Sequence, residues 1–210
     1  MMKGQDILLM LKLVSLANQH PKPEQAAEHF SMRALEQSTG ISKSEVSNAL
    51  NRCIAAGLAK LGRNSALPQV NTRALNEFLA HGLKYVFPVR PGPIVRGLAT
   101  AHAAPVLAGR LLSGGEHIYV WEDALGGDMG QSIEPLFKSV PNAVRQDEAL
   151  YAMLALVDAI RLGNRLIMMH EGRIVYEADD QKKASLTVQD LLKEFANIKG
   201  ATLSDKAFLG

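Results

Sequence analysis

The stretch SMRALEQSTGISKSEVSNALNRCIAAG, residues 31–57, decides how the chain is read. Apolar side chains recur at Leu35, Ile41, Val46, Ala49, Leu50 and Cys53, at helical spacings that gather them on one inward face. Gly40 stands at the corner, where a residue free to take positive φ reverses the chain at least cost. Ser42 offers an N-cap hydroxyl, and Glu45 completes a capping-box signature for a second helix. What that helix leaves outside is small and polar: Lys43, Ser44, Ser47, Asn48, Asn51 and Arg52. A helix packed tightly on one side and thin and polar on the other fits a DNA major groove.

Downstream, Gly57 closes the helix and LAKLGRNSALPQVN, residues 58–71, alternates as a strand, turns near Gly62–Ser65 and returns through Pro68–Val70. Lys60 and Arg63 on this hairpin are placed to touch a phosphate strand or the minor groove. A further helix, Thr72–His81, is expected behind it. Upstream, Gly4–Gln19 reads as an amphipathic helix with Ile7, Leu8, Met10, Leu11, Val14 and Leu16 on its core face. HPKPE, residues 20–24, breaks it, and 24–38 form the next helical region, split near Phe30 or Ser31.

The segment 31–57 resembles the helix-turn-helix of winged-helix transcriptional regulators. Residues 1–165 as a whole resemble a bacterial family of such regulators, on HGLKYVFP (81–88), TAHAAP (100–105), VWED (120–123) and EPLFKSVP (134–141). The resemblance implies binding of double-stranded DNA by the front part. Ser42, Lys43, Ser44, Ser47 and Asn48 would meet the groove, with Asn48 suited to read adenine bidentately. Asn51, Arg52, Lys60 and Arg63 would hold phosphates. A homodimer is expected, since one recognition helix reads too few base pairs for useful specificity. One position departs from the family: Glu36, four before the turn glycine, where a small residue is usual, so either a looser helix crossing or a register shifted by one residue is expected. The alternative is a non-catalytic protein–protein interaction module. The lack of large apolar anchors on the outer face argues for DNA.

Charge agrees with this division. The whole chain carries 23 Lys and Arg against 21 Asp and Glu, but residues 1–84 carry ten against six. A positive excess beside the helix-turn-helix suits a phosphate-binding module. The single cysteine, Cys53, lies on the inner face and reads as a buried structural thiol. Asp6 and Lys12 interrupt the apolar start, so it does not read as a signal peptide. No apolar run has the length of a membrane span, and a cytoplasmic protein without a membrane partner is expected.

The middle is expected to hold a strand at LKYVFPV (83–89), a largely irregular Gly/Ala/Pro stretch at 91–111, a strand at EHIYVWED (116–123) and an extended SIEPLFKSVP (132–141). His81, His102 and His117 are too scattered for a close metal-ligand set. Glu122 and Asp123, adjacent on a strand, point to opposite faces and cannot share an acid–base site. No catalytic residues, metal or cofactor are therefore expected, and the chain does not read as an enzyme; whether a small-molecule effector binds is not given by the sequence.

The tail changes character. RLGNRLIMMHEGRI (161–174), TVQDLLKEF (187–195) and SDKAFLG (204–210) resemble the C-terminal part of bacterial ABC-transporter ATPases. The nucleotide motifs of that family are missing: no GxxxxGK[ST] occurs, and LSGGE (112–116), which imitates the signature, precedes a strand-like run rather than a helix. Strands are expected at Arg165–Met169 and Arg173–Glu177, with a turn at His170–Gly172 and a helix from Thr187 to about Asn197. The two likenesses meet inside residues 149–165, which reads either as the junction of a fusion or as a regulator whose own tail has drifted into this form. The expected architecture is α+β: a winged helix-turn-helix (1–84), a small mixed α/β middle (85–165), and a β-hairpin plus helix (166–210).

Overall fold

The N-terminal helix forms over Gly4–Gln19 (α1), where the sequence placed it. After it, Pro23–Phe30 winds as a 3-10 stretch, and α2 (Met32–Thr39) and α3 (Lys43–Ala55) make the helix-turn-helix. β1 (Ala59–Leu61) and β2 (Pro68–Val70) pair antiparallel as the wing, Ala59 opposite Val70. α4 (Thr72–Glu77) and α5 (Leu83–Val86) follow, then β3 (Ile94–Thr100), β4 (Tyr119–Glu122) and β5 (Asp128–Ser132). α6 (Val140–Ala143) and α7 (Glu148–Leu162) lead to a last hairpin, β6 (Leu166–His170) with β7 (Arg173–Ala178). The computed structural model describes residues 1–62, 67–107, 117–162, 166–170 and 173–178. Arg63 with the wing turn, LSGGE, the tip of the last hairpin and the expected helix at 187–197 lie outside the described residues. The architecture is α+β.

α1 is not amphipathic. Gln5 through Leu13 are all buried, with Ser15 and Leu16, because α3 packs on one side of the helix and α7 on another. Its polar residues are the anchors of that packing. Asp6, 0% exposed, accepts two guanidinium N–H groups of Arg52 at 2.8 and 2.6 Å. Lys12 Nζ donates to Asp147 Oδ2 at 2.8 Å, and Ser15 Oγ donates to Asp147 Oδ1 at 2.7 Å. A charge is tolerated in an interior only when paired in this way. Asp147 in turn accepts the Leu150 amide at 2.9 Å at the start of α7. One apolar core thus runs from Leu35 and Val46 through α1 to Leu150 and Leu154.

The expected strand at 83–89 is helical instead. Residues 72–86 continue through a π-turn at Phe78–Gly82, and Leu75, Leu79 and Leu83 are buried at a spacing of four. That period is a helix's, and it outweighs the β-branched and aromatic content of LKYVF. Phe87 and Pro88 end the run.

The expected irregular stretch contains β3. It pairs antiparallel with both β4 and β5, while β4 and β5 pair parallel at Tyr119–Gln131 and Val120–Ser132, so three strands close on themselves. So tight a closure needs a strand without a side chain at the crossing. A Cβ on Gly97 would overlap the Trp121 carbonyl and stand 2.9 Å from Val120 Cβ. Composition that looked like loop is what the closure requires. Glu122 is exposed, whereas Asp123 accepts the Leu125 amide at 3.0 Å and the Arg145 guanidinium.

The barrel is tied to α7 by Asp158, which accepts Trp121 Nε1–H at 2.6 Å, Thr100 Oγ1–H at 3.0 Å and Arg161 at 2.7 Å. Burial pushes this carboxyl above the usual aspartate range, against the pull of Arg161. Within the expected extended segment, residues 133–138 carry no regular structure and α6 begins at Val140. No helix among the described residues is long and apolar enough to cross a membrane.

Candidate nucleic-acid interface

Ser31 caps α2, its Oγ accepting the Ala34 amide at 3.2 Å. The helix ends in Gly40 at φ +68°, the left-handed corner expected there. Buried Thr39 braces the turn: its hydroxyl donates to Leu35 O at 2.5 Å and accepts the Ile41 amide at 3.2 Å. Val46, Ala49, Leu50 and Cys53 then bury the inner face of α3.

The capping box at the start of α3 does not form. Ser42 occupies the N-cap position, but its hydroxyl lies 3.3 Å from Ser44 Oγ and accepts no helix amide. Glu45 turns instead to Gln5 Nε2 at 2.5 Å, Asn48 Nδ2 at 3.2 Å and Lys3 Nζ at 3.3 Å. The hydrogen bonds from Asn48, Gln5 and Lys3 hold it below the usual glutamate range. Glu36 takes over the capping, its Oε1 accepting the Lys43 amide at 3.3 Å. The unusual residue four before the turn glycine is therefore the acid that serves the N-terminus of α3, where the helix dipole favours a negative charge.

Ser42, Lys43, Ser44, Ser47, Asn48 and Asn51 are all exposed. Ser44, Ser47, Asn48 and Asn51 share one face by their spacing. Lys60 is exposed on the wing, opposite Gln69. Arg63 lies outside the described residues. Arg52 departs from its expected role. Its guanidinium is turned back onto Asp6, with Glu45 Oε2 at 3.7 Å, and its side chain is only 23% exposed. The hydrogen bonds to Asp6 raise its pKa further, so the charge is spent inside the protein rather than offered to phosphate. Arg33 and Gln37, four apart and both exposed on α2, escaped the sequence reading. The 3.6 period that buried Leu35 could have found them.

Asn48 gives one N–H to Glu45 and keeps its carboxamide oxygen and second N–H, the pair that matches adenine in the major groove. Chemistry at other places is poorly supplied. A cleft of about 410 Å³ lies against Leu98, Arg145, Asp147 and Tyr151. Three of its polar side chains are engaged: Asp147 by Lys12 and Ser15, Arg145 by Asp123, and the Tyr151 hydroxyl by the Ala99 carbonyl at 2.5 Å, while Gln146 and Glu148 on its rim are exposed. Burial pushes the Cys53 thiol up to about 12, as suits a structural cysteine. His81 and His117 are exposed, whereas His102 meets the Tyr119 ring edge-on at 5.2 Å and is pushed down by burial. No group of three metal-ligating side chains occurs among the described residues.

No family model matches the chain, and no solved structure matches it. Part of it resembles a transporter protein. A tyrosine transport ATP-binding protein of Clostridioides difficile (strain R20291) is 42% identical over 40 residues, 19% of this chain and 16% of that protein. The chain thus spans about a sixth of the curated relative it matches.

Proposed function

We propose that the chain is a sequence-specific DNA-binding transcriptional regulator that reads the major groove with α3 and steadies itself on phosphates with the wing. One observation carries the reading: the polar ridge from Ser42 to Asn51 stands in solvent while the opposite face of the same helix is sealed in the core. Ser42, Lys43, Ser44, Ser47 and Asn48 approach base edges; Asn51, Lys60 and Arg63 approach the backbone. Arg52 is withdrawn from that set. A homodimer on two half-sites supplies enough base pairs for specificity, and the work is done in the cytoplasm without catalysis or a cofactor. The transporter-like segment adds no nucleotide chemistry to this reading, because the phosphate-cradling loop is not in the sequence.

Selection of bound fragments from a random duplex pool tests it. Enrichment of a defined, symmetric sequence whose affinity falls steeply with salt is expected. No enrichment, with co-purification of a protein bound through α3, would replace it with the interaction-module reading.

A further inference from the structure

We propose that Ser139 is a positioning residue that holds the recognition helix at its working angle from the far side of the molecule; this rests on the DNA-binding reading above. The strap from Ile133 to Ser139 is pinned to the barrel at its start, where the Ile133 amide donates to Val120 O at 2.8 Å. Arg161 Nη1 secures the next residue, donating to Glu134 O at 3.0 Å. Midway, the Leu136 carbonyl sits so close to α1 that a Cβ on Gly4 would overlap it. The strap ends on the helix-turn-helix itself: the Ser139 hydroxyl donates to the Thr39 carbonyl. A Cβ on Gly40 would stand 2.7 Å from Ser139 Cβ, so serine and glycine are in direct contact.

The bond falls where the turn is least able to hold itself. Thr39 is the last residue of α2, and the final carbonyls of a helix have no partner within it. Thr39 also sets the course of the turn through its own hydroxyl, which accepts the Ile41 amide. Ser139 is meanwhile fixed from behind, its carbonyl accepting the amides of Asn142 at 3.0 Å and Ala143 at 2.9 Å. A rigid donor anchored to the barrel thus fills the open acceptor at the corner from which α3 departs. Glycine at position 40 serves two needs at once, the left-handed φ and the approach of Ser139.

Ser139→Ala in the full chain tests this, with Lys138→Ala, an exposed neighbour, as the control. Amide hydrogen exchange at Gly40, Ile41 and Lys43 is expected to quicken roughly three- to tenfold, the range one hydrogen bond contributes, with amides in α7 unchanged. Affinity for the duplex that wild type selects should fall by a similar factor at unchanged salt slope, since no phosphate contact is lost. Lys138→Ala should alter neither. Unchanged exchange at the turn, or equal acceleration throughout α7, would overturn the assignment. Faster turn exchange in a protein that binds no duplex would leave the assignment of Ser139 to the turn standing and remove the DNA-binding reading instead.

Discussion

Replacing Arg52 by methionine separates two roles that look alike on a helical wheel. The stem of the side chain and its packing are kept, while Asp6 loses two charge-assisted bonds at 2.8 and 2.6 Å and retains the Lys3 amide at 2.9 Å. Removing one partner of a buried pair typically costs about 3–5 kcal/mol. The Arg52 side chain is 23% exposed, so water reaches part of the pair and the lower end, about 3 kcal/mol, is expected. At roughly 2–4 °C per kcal/mol for a chain of this size, the thermal midpoint should drop by about 6–12 °C. Asp6→Asn combined with Arg52→Met should recover much of that loss, because no unpaired charge then remains buried. Circular dichroism melts of wild type and the two variants measure this. A DNA titration at several salt concentrations, well below the midpoint, measures the other role. Each phosphate contact contributes about 0.9 to the slope of log affinity against log salt. Arg52→Met should leave the slope unchanged, whereas Lys60→Ala should reduce it by about that amount. A melt unmoved by Arg52→Met, with a slope reduced by about one, would show that the guanidinium serves phosphate and that its bond to Asp6 is incidental.

Asn48→Ala should weaken binding to the selected duplex by about 1–3 kcal/mol and relax preference at one base position, without moving the melt; competition between single-base variants of the site reads this. Asp147 carries an acid-side dependence. Burial raises its pKa, but hydrogen bonds from Lys12, the Leu150 amide and Ser15 outweigh this and hold it below the usual value. A carboxyl lowered on folding stabilises fully above its unfolded value near about 4, and that stability is lost as pH falls through the folded value. Asp147→Asn should therefore flatten the fall of the urea midpoint below about pH 5, while costing about 3–5 kcal/mol at neutral pH through the stranded Lys12. Cys53 should be silent to a thiol reagent in the native protein and react fully once urea unfolds it; prompt native reaction would contradict its burial.

Much of the front of the fold was legible because its signals are local. The period at Leu35, Val46, Leu50 and Cys53, the corner at Gly40, and the two short strands at Ala59–Leu61 and Pro68–Val70 each state their own structure, and α1 begins and ends where the pattern placed it. What escaped depends on partners far away in the chain. Asp6 and Lys12 looked like the solvent side of an amphipathic helix; their partners, Arg52 and Asp147, stand 46 and 135 residues on. Arg52 looked free for the same reason. Glu45 looked like a capping acid until Lys3 and Gln5, brought over from the start of α1, claimed it. β3 was hidden by its composition, since Gly97 marks a strand only once Trp121 is known to cross it. The exposed ridge was readable because exposure is the complement of a burial pattern; the strap that steadies it was not.

Arg161 marks where the two likenesses in the sequence meet. It is the first residue of the transporter-like run, yet the structure gives it to the front of the chain. Its side chain, 4% exposed, donates to Phe87 O at 2.9 Å, Glu134 O at 3.0 Å and Asp158 at 2.7 Å. It thereby holds the end of α5, the strap and the barrel's buried carboxylate with one guanidinium. Arg161→Ala would leave two carbonyls short of a donor and Asp158 without its cation, a loss of about 3–5 kcal/mol. A chain ending after Leu162 should keep the urea midpoint of the front part and its selected duplex, whereas one ending after Ala159 should lose the cooperative transition. Equal behaviour of the two shortened chains would mean that Arg161 is dispensable and that the fold of the front part closes before it.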